Sequence, residues 1–343
     1  MTIDGTAPSR RTTIEDVARH AQVSRAAVSK VLRNAYGVSD DMRERVNRSI
    51  DALQYRPLIS ARGMRGRTFT LGVAINDPAN GFITEVLNGA ASAVEGTQFQ
   101  MILSVLDDQF GSSYRAVESL YDRQVDGILA VSPLAEPEWL EGMARKVPLV
   151  QLGVHDRSAH HDTIVGNDVE GTRLMMRHLM DLGHTRITHV THTDPSWISN
   201  PNRPHVMREL EYRRIMTQAG LAEEIDVIPA MFEDHATYLE MRTRFAHGFR
   251  PTAVLAGNDD AALGVMRAAA EFPDLDRLSI SGYDDSHFGG HPRVGLTTIN
   301  QDGRQMGRRA VQMLFERIEG RSESRYVEVP VRLVTRTSTF APA

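Results

Sequence analysis

A cluster of basic and small side chains near the start of this chain has the chemistry needed to read the edges of DNA bases. Arginine and lysine donate hydrogen bonds to guanine O6 and N7, and a small alanine fits beside a thymine methyl group. Serine hydroxyls, as at Ser24 and Ser29, donate to phosphates. On a helix opening at Ser24, the outward face would carry Arg25, Ala26, Ser29, Lys30 and Arg33. The segment indicates sequence-specific contact with DNA; the competing interpretation is a solvated helix with scattered charge.

Three short helices are expected to position these residues. Thr13, Ser24 and Ser39 are the expected N-caps, because a side-chain oxygen there accepts a hydrogen bond from the first helical turn. About three residues separate the first two helices, which is typical of a helix-turn-helix. Thr13 is assigned to the DNA-binding set as well. Apolar residues recur at helical spacing at Ile14, Val17, Ala18 and Ala21, at Ala27, Val28, Val31 and Leu32, and at Met42, Val46, Ile50 and Leu53.

Charge is unevenly distributed along the sequence. Residues 1–67 contain 13 basic and 7 acidic residues, a formal charge of +6, whereas residues 68–343 contain 26 basic and 37 acidic residues, a formal charge of −11. Compact basic regions bind nucleic acid because each neutralised phosphate releases counterions. The acidic remainder is not expected to touch DNA.

Composition excludes several classes of protein. The chain of 343 residues has no cysteine, so disulfides, thiolate metal sites and thiol nucleophiles are excluded. The first eleven residues contain no apolar stretch typical of a secretory signal, and no run reaches the roughly 18–20 apolar residues of a membrane helix. We therefore expect a cytoplasmic protein with no membrane partner.

From Thr70 onward, short β-rich runs alternate with helical stretches, a pattern typical of parallel sheets. Nine or more strands exceed one comfortable sheet, so two doubly wound subdomains are expected. Ligands of such folds bind at the carboxyl ends of the strands. The candidate strands are 71–75, 101–106, 127–131, 149–152, 187–190, 227–231, 253–256, 278–282 and 296–299.

Several motifs resemble the lactose-repressor/galactose-repressor family. In the N-terminal region they are residues 13–18 (TIEDVA), 23–32 (VSRAAVSKVL) and 55–57 (YRP), and the resemblance continues along nearly the whole chain. It implies a small all-α helix-turn-helix domain at 1–57, a hinge helix or linker at 58–68, and an effector-binding and dimerisation core at 69–343. The core would have a periplasmic-binding-protein-like α/β fold of two doubly wound parallel-sheet subdomains. Their expected limits are about 69–170 plus 301–328 for the N-subdomain, and about 171–300 plus 329–340 for the C-subdomain.

The hinge is expected to contribute Ala61, Arg62 and Met64 to DNA binding. In the family this segment becomes helical on operator DNA, and two hinges of a dimer insert an apolar side chain into the minor groove. Met64 stands at the inserting position, and an unbranched methionine suits that role. The alternative is a plain flexible linker.

The resemblance also implies an effector pocket. Arg208 matches a pocket arginine, although Glu211 stands where the family has glycine. An aspartate and an asparagine suit the vicinal hydroxyls of a sugar, an arginine donates from the opposite side, and an aromatic ring stacks on the sugar ring. For the Asn and Asp residues the alternative is turn chemistry, and for Phe82 a place in the core. The residues assigned to the pocket are Asn80, Phe82, Trp197, Arg208, Asn258, Asp284 and Gln301.

The protein is expected to be a dimeric transcriptional regulator, and more specifically a repressor. It would bind a palindromic operator and be controlled by a sugar or sugar derivative. One alternative is a regulator controlled by a partner protein or by no small molecule. An enzyme is the alternative of a different class, but common nucleotide-binding and hydrolytic motifs are absent from the sequence. No cofactor and no metal are expected. The clustered histidines His155, His160, His161, His189 and His192 are interpreted as loop, surface or strand residues.

Overall fold

The computed structural model describes residues 12–32, 35–55, 66–105, 114–192, 200–230 and 233–342. The chain divides into two compact units, the head unit Met1–Thr68 and the body unit Phe69–Ala343. Among the helices of these described ranges, none combines the length and the apolar character that a membrane span requires.

The head unit contains three helices, α1 (Ile14–His20), α2 (Arg25–Leu32) and α3 (Asp40–Ala52). The three predicted N-caps are confirmed, because the side chains of Thr13, Ser24 and Ser39 each accept a hydrogen bond from a first-turn backbone N–H. Residues 21–24 join α1 to α2, one residue more than predicted. The helices enclose a small core centred on the fully buried Val17, Val28 and Val46.

Six parallel strands form the first sheet of the body unit. They are β1 (Thr70–Ile75), β2 (Gln100–Val105), β3 (Gly127–Val131), β4 (Leu149–Leu152), β5 (Asp162–Gly166) and β11 (Tyr326–Val329). Their spatial order is β11-β5-β4-β3-β1-β2.

Helices cover both faces of this sheet. One apolar cluster unites it with α4 (Gly81–Val94) and α11 (Gly303–Ile318), and a second unites it with α5 (Arg115–Asp122) and α6 (Pro137–Ala144). A Cβ atom on Gly307 would come within 1.9 Å of a carbonyl oxygen of α4, so glycine permits the close packing of α4 on α11.

Four parallel strands form the second sheet, in the order β7-β6-β8-β9. They are β6 (Ile187–Thr191), β7 (Asp226–Pro229), β8 (Ala253–Ala256) and β9 (Ser279–Ser281), with α7 (Asp168–Asp181) and α8 (Pro204–Gln218) on one face, and α9 (Asp234–Ala246) and α10 (Asp259–Ala269) on the other. An additional antiparallel pair joins β10 (Thr298–Asn300) to β12 (Arg332–Val334).

The fold class predicted from the sequence is confirmed, with local differences. Strands β5, β11 and β12 were not predicted. Pro204 opens α8 at a position where the missing N–H of proline is harmless. Strand β2 has β1 as its only neighbour among the described strands, and its Leu103 and Val105 are 54% and 51% exposed.

Candidate functional site

The head unit presents the expected DNA-reading side chains on α2. Arg25, Ala26 and Lys30 are exposed, and Ser29 is half-buried. The Arg25 side chain is 69% exposed and lies 3.8 Å from Glu15 of α1, a loose ion pair that contributes little stability. The arginine is therefore held near α1 but remains available to another acceptor.

Two predicted hydroxyl contacts are engaged within the head unit. Thr13 Oγ1 accepts from the Asp16 N–H, and the Thr13 N–H donates to Asp16 Oδ2 at 2.9 Å, which together form a capping box; Thr13 Oγ1 also donates to Asp16 Oδ2 at 2.7 Å. Ser24 Oγ accepts from the Ala27 N–H at 3.1 Å, so its own O–H can still donate to a phosphate. The other predicted DNA contacts, Arg33, Ala61, Arg62 and Met64, lie outside the described residues.

In the body unit, Arg208 is the centre of a buried polar cluster. Its Nε donates to Asp168 Oδ1 at 2.6 Å and its Nη1 to the Gly257 carbonyl at 2.8 Å. The guanidinium carbon also lies 3.4 Å from the centroid of the Tyr283 ring, a cation–π contact. Only 8% of the Arg208 side chain is exposed, so this cation is desolvated and fixed in one orientation.

Asp168 compensates that buried charge. Burial alone would raise the pKa of Asp168, but the charge of Arg208 and a hydrogen bond from His155 outweigh it and lower the pKa, so the carboxylate is ionised. His155 Nε2 lies 2.7 Å from Asp168 Oδ2. The carboxylate thus bridges a helix beside the second sheet and the loop that follows β4.

Asp284 and Gln301 lie together in the same region. Gln301 Nε2 donates to Asp284 Oδ1 at 2.6 Å; Gln301 is buried and Asp284 is half-buried. Burial raises the pKa of Asp284 well above the usual range, although the charge of Arg208 opposes the shift. The φ angle of Asp284 is +118°, a strained conformation for a residue other than glycine.

Three further predicted pocket residues, Asn80, Asn258 and Phe82, have structural partners. Asn80 and Asn258 are N-caps, whose Oδ1 atoms accept from Ile83 N at 3.1 Å and from Ala261 N at 2.8 Å. Phe82 packs partly buried against the apolar cluster between the first sheet and α11. Trp197 lies outside the described residues. The structure therefore brings Arg208, Asp284 and Gln301 together, and gives Asn80 and Asn258 a capping role.

Imidazoles surround the Arg208 cluster. His192 and His205 stack with their ring centroids 5.7 Å apart, and both are buried. Burial, followed by the charges of Arg208, His192 and Arg203, lowers the pKa of His205 well below its usual range, so the ring is neutral. Within the described parts of the chain, no group of three or more His, Asp or Glu side chains is arranged to hold a metal ion.

Sequence reasoning missed three members of this cluster. Asp168 follows β5, a strand that the apolar pattern did not indicate. Tyr283 directly precedes the predicted Asp284 and could have been found as part of the same motif. His155 and His161 were interpreted as loop or surface histidines; both lie in the loop between β4 and β5, but their side chains are buried there rather than at the surface.

Each of the two units contains a segment that matches a known protein-family profile. Residues 13–57 match the profile of bacterial regulatory proteins, lacI family, and residues 176–339 match that of the periplasmic binding protein-like domain. The HTH-type transcriptional repressor PurR of Vibrio campbellii is 31% identical over 334 residues, covering 95% of this chain and 98% of the relative. The ribose operon repressor of Escherichia coli K12 is 31% identical over 314 residues, covering 89% and 93%.

A solved structure shows the same two-unit fold. The lac repressor dimer bound to operator and the anti-inducer ONPF superposes with a TM-score of 0.77 at 27% identity, covering 97% of this chain and 100% of that one. Together with the match of the head unit and the relatives at 31% identity, this similarity leads to one conclusion. The chain belongs to the lacI family of bacterial regulatory proteins.

Proposed function

We propose that this protein is a dimeric transcriptional repressor that binds a palindromic operator through Arg25, Ala26 and Lys30. A small hydroxylated effector, a sugar or sugar derivative, binds between the two subdomains of the body unit and controls the operator affinity. By thermodynamic linkage, effector and operator change each other's affinity by the same factor.

The operator half of the proposal is supported by the exposed face of α2. Arg25 and Lys30 project from the first two turns of the second helix of a helix-turn-helix, the part that enters the major groove. Ala26 lies between them without steric bulk. The two relatives, both named as repressors, favour repression over activation.

The effector half depends chiefly on Asp284. A half-buried carboxyl on a strained backbone, three residues after the end of a strand of a parallel sheet, suits a ligand contact. Around it lie Gln301 and Arg208, which supply amide and guanidinium groups. The Asp284 carboxyl can accept from a sugar hydroxyl, and the raised pKa favours the protonated form, which can also donate to one. The ribose operon repressor among the relatives supports the same class of ligand.

Dimer formation is supported by the edge of the first sheet. Strand β2 leaves Leu103 and Val105 half-exposed on an edge that no other described strand covers. In a monomer, such an apolar edge would stay open to pairing with other chains and hence to aggregation. Pairing of two copies through this edge would cover it and set the separation of the two head units.

The test combines binding-site selection with a ligand screen. Full-length protein should enrich inverted repeats from random DNA at physiological salt, with half-sites about one helical turn apart. A thermal-shift panel of D-ribose, D-glucose, D-galactose, D-fructose and cellobiose should contain at least one ligand that raises Tm, since a ligand at about 100 times its Kd stabilises by about 2.7 kcal/mol. A monomeric protein with no preference for inverted repeats would refute the proposal.

Two alternatives have distinct signatures. A regulator controlled by a partner protein would select inverted repeats but give no shift with any small molecule. An enzyme acting on sugars would return altered products, whereas the proposed repressor should release every sugar of the panel unchanged.

A further inference from the structure

We propose that His155 is a positioning residue for effector binding, which aims the Arg208 guanidinium through Asp168 from the opposite subdomain. The proposal rests on the proposed function insofar as Arg208 contacts the effector.

A continuous chain of hydrogen bonds connects β11 to α8. The Tyr326 hydroxyl lies 3.0 Å from His155 Nδ1, His155 Nε2 lies 2.7 Å from Asp168 Oδ2, and Arg208 Nε donates to Asp168 Oδ1 at 2.6 Å. The exposed fractions of the His155, Asp168 and Arg208 side chains are 7%, 2% and 8%. Water therefore offers these groups little competition, and each depends on its neighbour for orientation.

The charge on Asp168 decides which imidazole nitrogen carries the proton. An ionised carboxylate only accepts, so His155 Nε2 must donate to it. The other ring nitrogen, Nδ1, hydrogen-bonds the Tyr326 hydroxyl at 3.0 Å. The ring is thereby held from both sides, and the other oxygen of Asp168, Oδ1, accepts from Arg208 Nε.

The main chain of the same histidine makes a second connection to α8. The His155 N–H donates to the Asn202 carbonyl at 2.9 Å. Asp156 accepts from the side-chain amides of Asn202 at 2.7 Å and Asn200 at 3.3 Å. Residues 200–203 lead directly into α8, so the backbone and side-chain contacts of residues 155 and 156 converge on the beginning of that helix.

This arrangement makes an effector contact on α8 dependent on the first sheet. Arg208 belongs to a helix packed on the second sheet, yet one of its two described hydrogen-bond acceptors, Asp168, is oriented by a residue that follows β4. An effector held by Arg208 therefore binds tightly only while the loop after β4 and the beginning of α8 remain in contact. Loss of that contact should therefore lower the affinity for the effector.

The matched variants are His155→Leu, which removes the donor, and His155→Gln, whose amide nitrogen can replace Nε2. Tyr326→Phe removes only the hydrogen bond between the Tyr326 hydroxyl and His155 and retains the ring on which Arg157 stacks at 4.2 Å. This variant replaces His155→Leu in the test if His155→Leu fails to fold. His160→Leu is the control, since the nearby His160 side chain is 41% exposed and lies 3.8 Å from Glu141.

Two measurements on the full-length protein test the proposal. The first is the Kd of the sugar with the largest Tm shift in the panel above. We expect His155→Leu to weaken it roughly tenfold or more, as the loss of a hydrogen bond to a charged group does, whereas His155→Gln restores most of the affinity and Tyr326→Phe causes a smaller loss. The second is a double-mutant cycle of His155→Leu with Arg208→Leu in urea unfolding, where the combined loss should be smaller than the sum of the single losses.

The outcomes separate this inference from the proposed function. Additive losses in the cycle, equal damage by His155→Gln and His155→Leu, or an unchanged sugar Kd in His155→Leu would each overturn the positioning role. If the wild-type protein binds no sugar of the panel but the cycle shows coupling, the sugar assignment fails while the control of Arg208 by His155 stands.

Discussion

Gln301 donates a 2.6 Å hydrogen bond from Nε2 to Oδ1 of Asp284 and thereby joins the segment after β9 to the segment after β10. Both segments follow the carboxyl ends of strands; Gln301 is buried and Asp284 half-buried. The bond occupies one carboxyl oxygen of Asp284 and leaves Oδ2 as the atom that we expect to face a ligand.

Asp284→Asn should abolish the effector response while operator binding is retained. Burial raises the pKa of Asp284 and so favours the neutral carboxyl, and an uncharged amide of the same shape should preserve the fold. Asn can keep Oδ1 as the acceptor for Gln301, but it presents an NH₂ donor where the carboxyl offers both a donor and an acceptor. The measurement is operator affinity with and without sugar, with the exposed Asp276→Asn as the control. A retained response would remove Asp284 from the pocket.

Arg25→Ala should relax discrimination at one base pair in each half-site. A bidentate contact to guanine contributes about 1–3 kcal/mol of discrimination, so the preference there should fall roughly 5- to 150-fold. Binding-site selection with the variant measures this directly. Arg123→Ala, an exposed arginine of the body unit, is the control and should leave the selected sequence unchanged. Uniform weakening on all DNA would instead identify Arg25 as a phosphate contact.

Met64→Ala should weaken specific binding more than non-specific binding. The prediction follows from the family resemblance of the hinge, which lies outside the described residues. An apolar side chain inserted between base steps stabilises only the bent, specific complex. Fluorescence anisotropy on operator and on random duplex gives the ratio, and an equal loss on both would show that the hinge inserts nothing.

Leu103→Glu should shift the protein toward monomer. The side chain is 54% exposed on the edge strand β2, so the substitution should not disturb the core, but a buried unpaired carboxylate would disrupt pairing of two copies. Sedimentation velocity measures the oligomeric state, and operator affinity should fall with it. Leu239→Glu is the control, because Leu239 on α9 is similarly exposed at 47%. An unchanged dimer would place the interface elsewhere.

The sequence predicted those elements whose physical cause is local. Strands β3 and β4 were predicted with the limits observed, because their apolar runs reflect burial on both faces of a parallel sheet. Strand β5 was missed since it begins with Asp162 and Thr163, which are fully buried although polar. Arg317 and Arg321, more than 150 positions later, neutralise Asp162, and no local pattern reveals such a contact.

The residues of the candidate site likewise fall into those that the sequence could indicate and those that only the folded structure reveals. Arg208 and Asp284 were found because family motifs mark them, and the capping of α2 by Ser24 follows from residue type alone. The place of His155 could not be predicted, because its role depends on Asp168 and Tyr326, which only the folded sheet brings to it.

Asp259→Asn should change the pH dependence of stability. The Asp259 carboxyl is fully buried and accepts from Thr298 Oγ1 and the Ser286 N–H, both at 2.6 Å. Burial, and less strongly the nearby charge of Asp285, raises its pKa to about 7. The folded protein therefore holds a proton between about pH 4 and pH 7 that the unfolded chain has released.

The sign of the effect follows from that proton. The stabilisation of the folded protein by the protonated Asp259 carboxyl is fully present below the pKa that this residue has in the unfolded chain. It is lost as the pH rises through about 7, at up to about 1.4 kcal/mol per pH unit. An amide carries no titrating proton and can still accept from the Ser286 N–H while donating to Thr298. The free energy of unfolding of Asp259→Asn, expressed as its difference from wild type and measured by urea unfolding, should thus be higher at pH 8 than at pH 5. A difference that is the same at both pH values would show that Asp259 is ionised in the folded protein across this range.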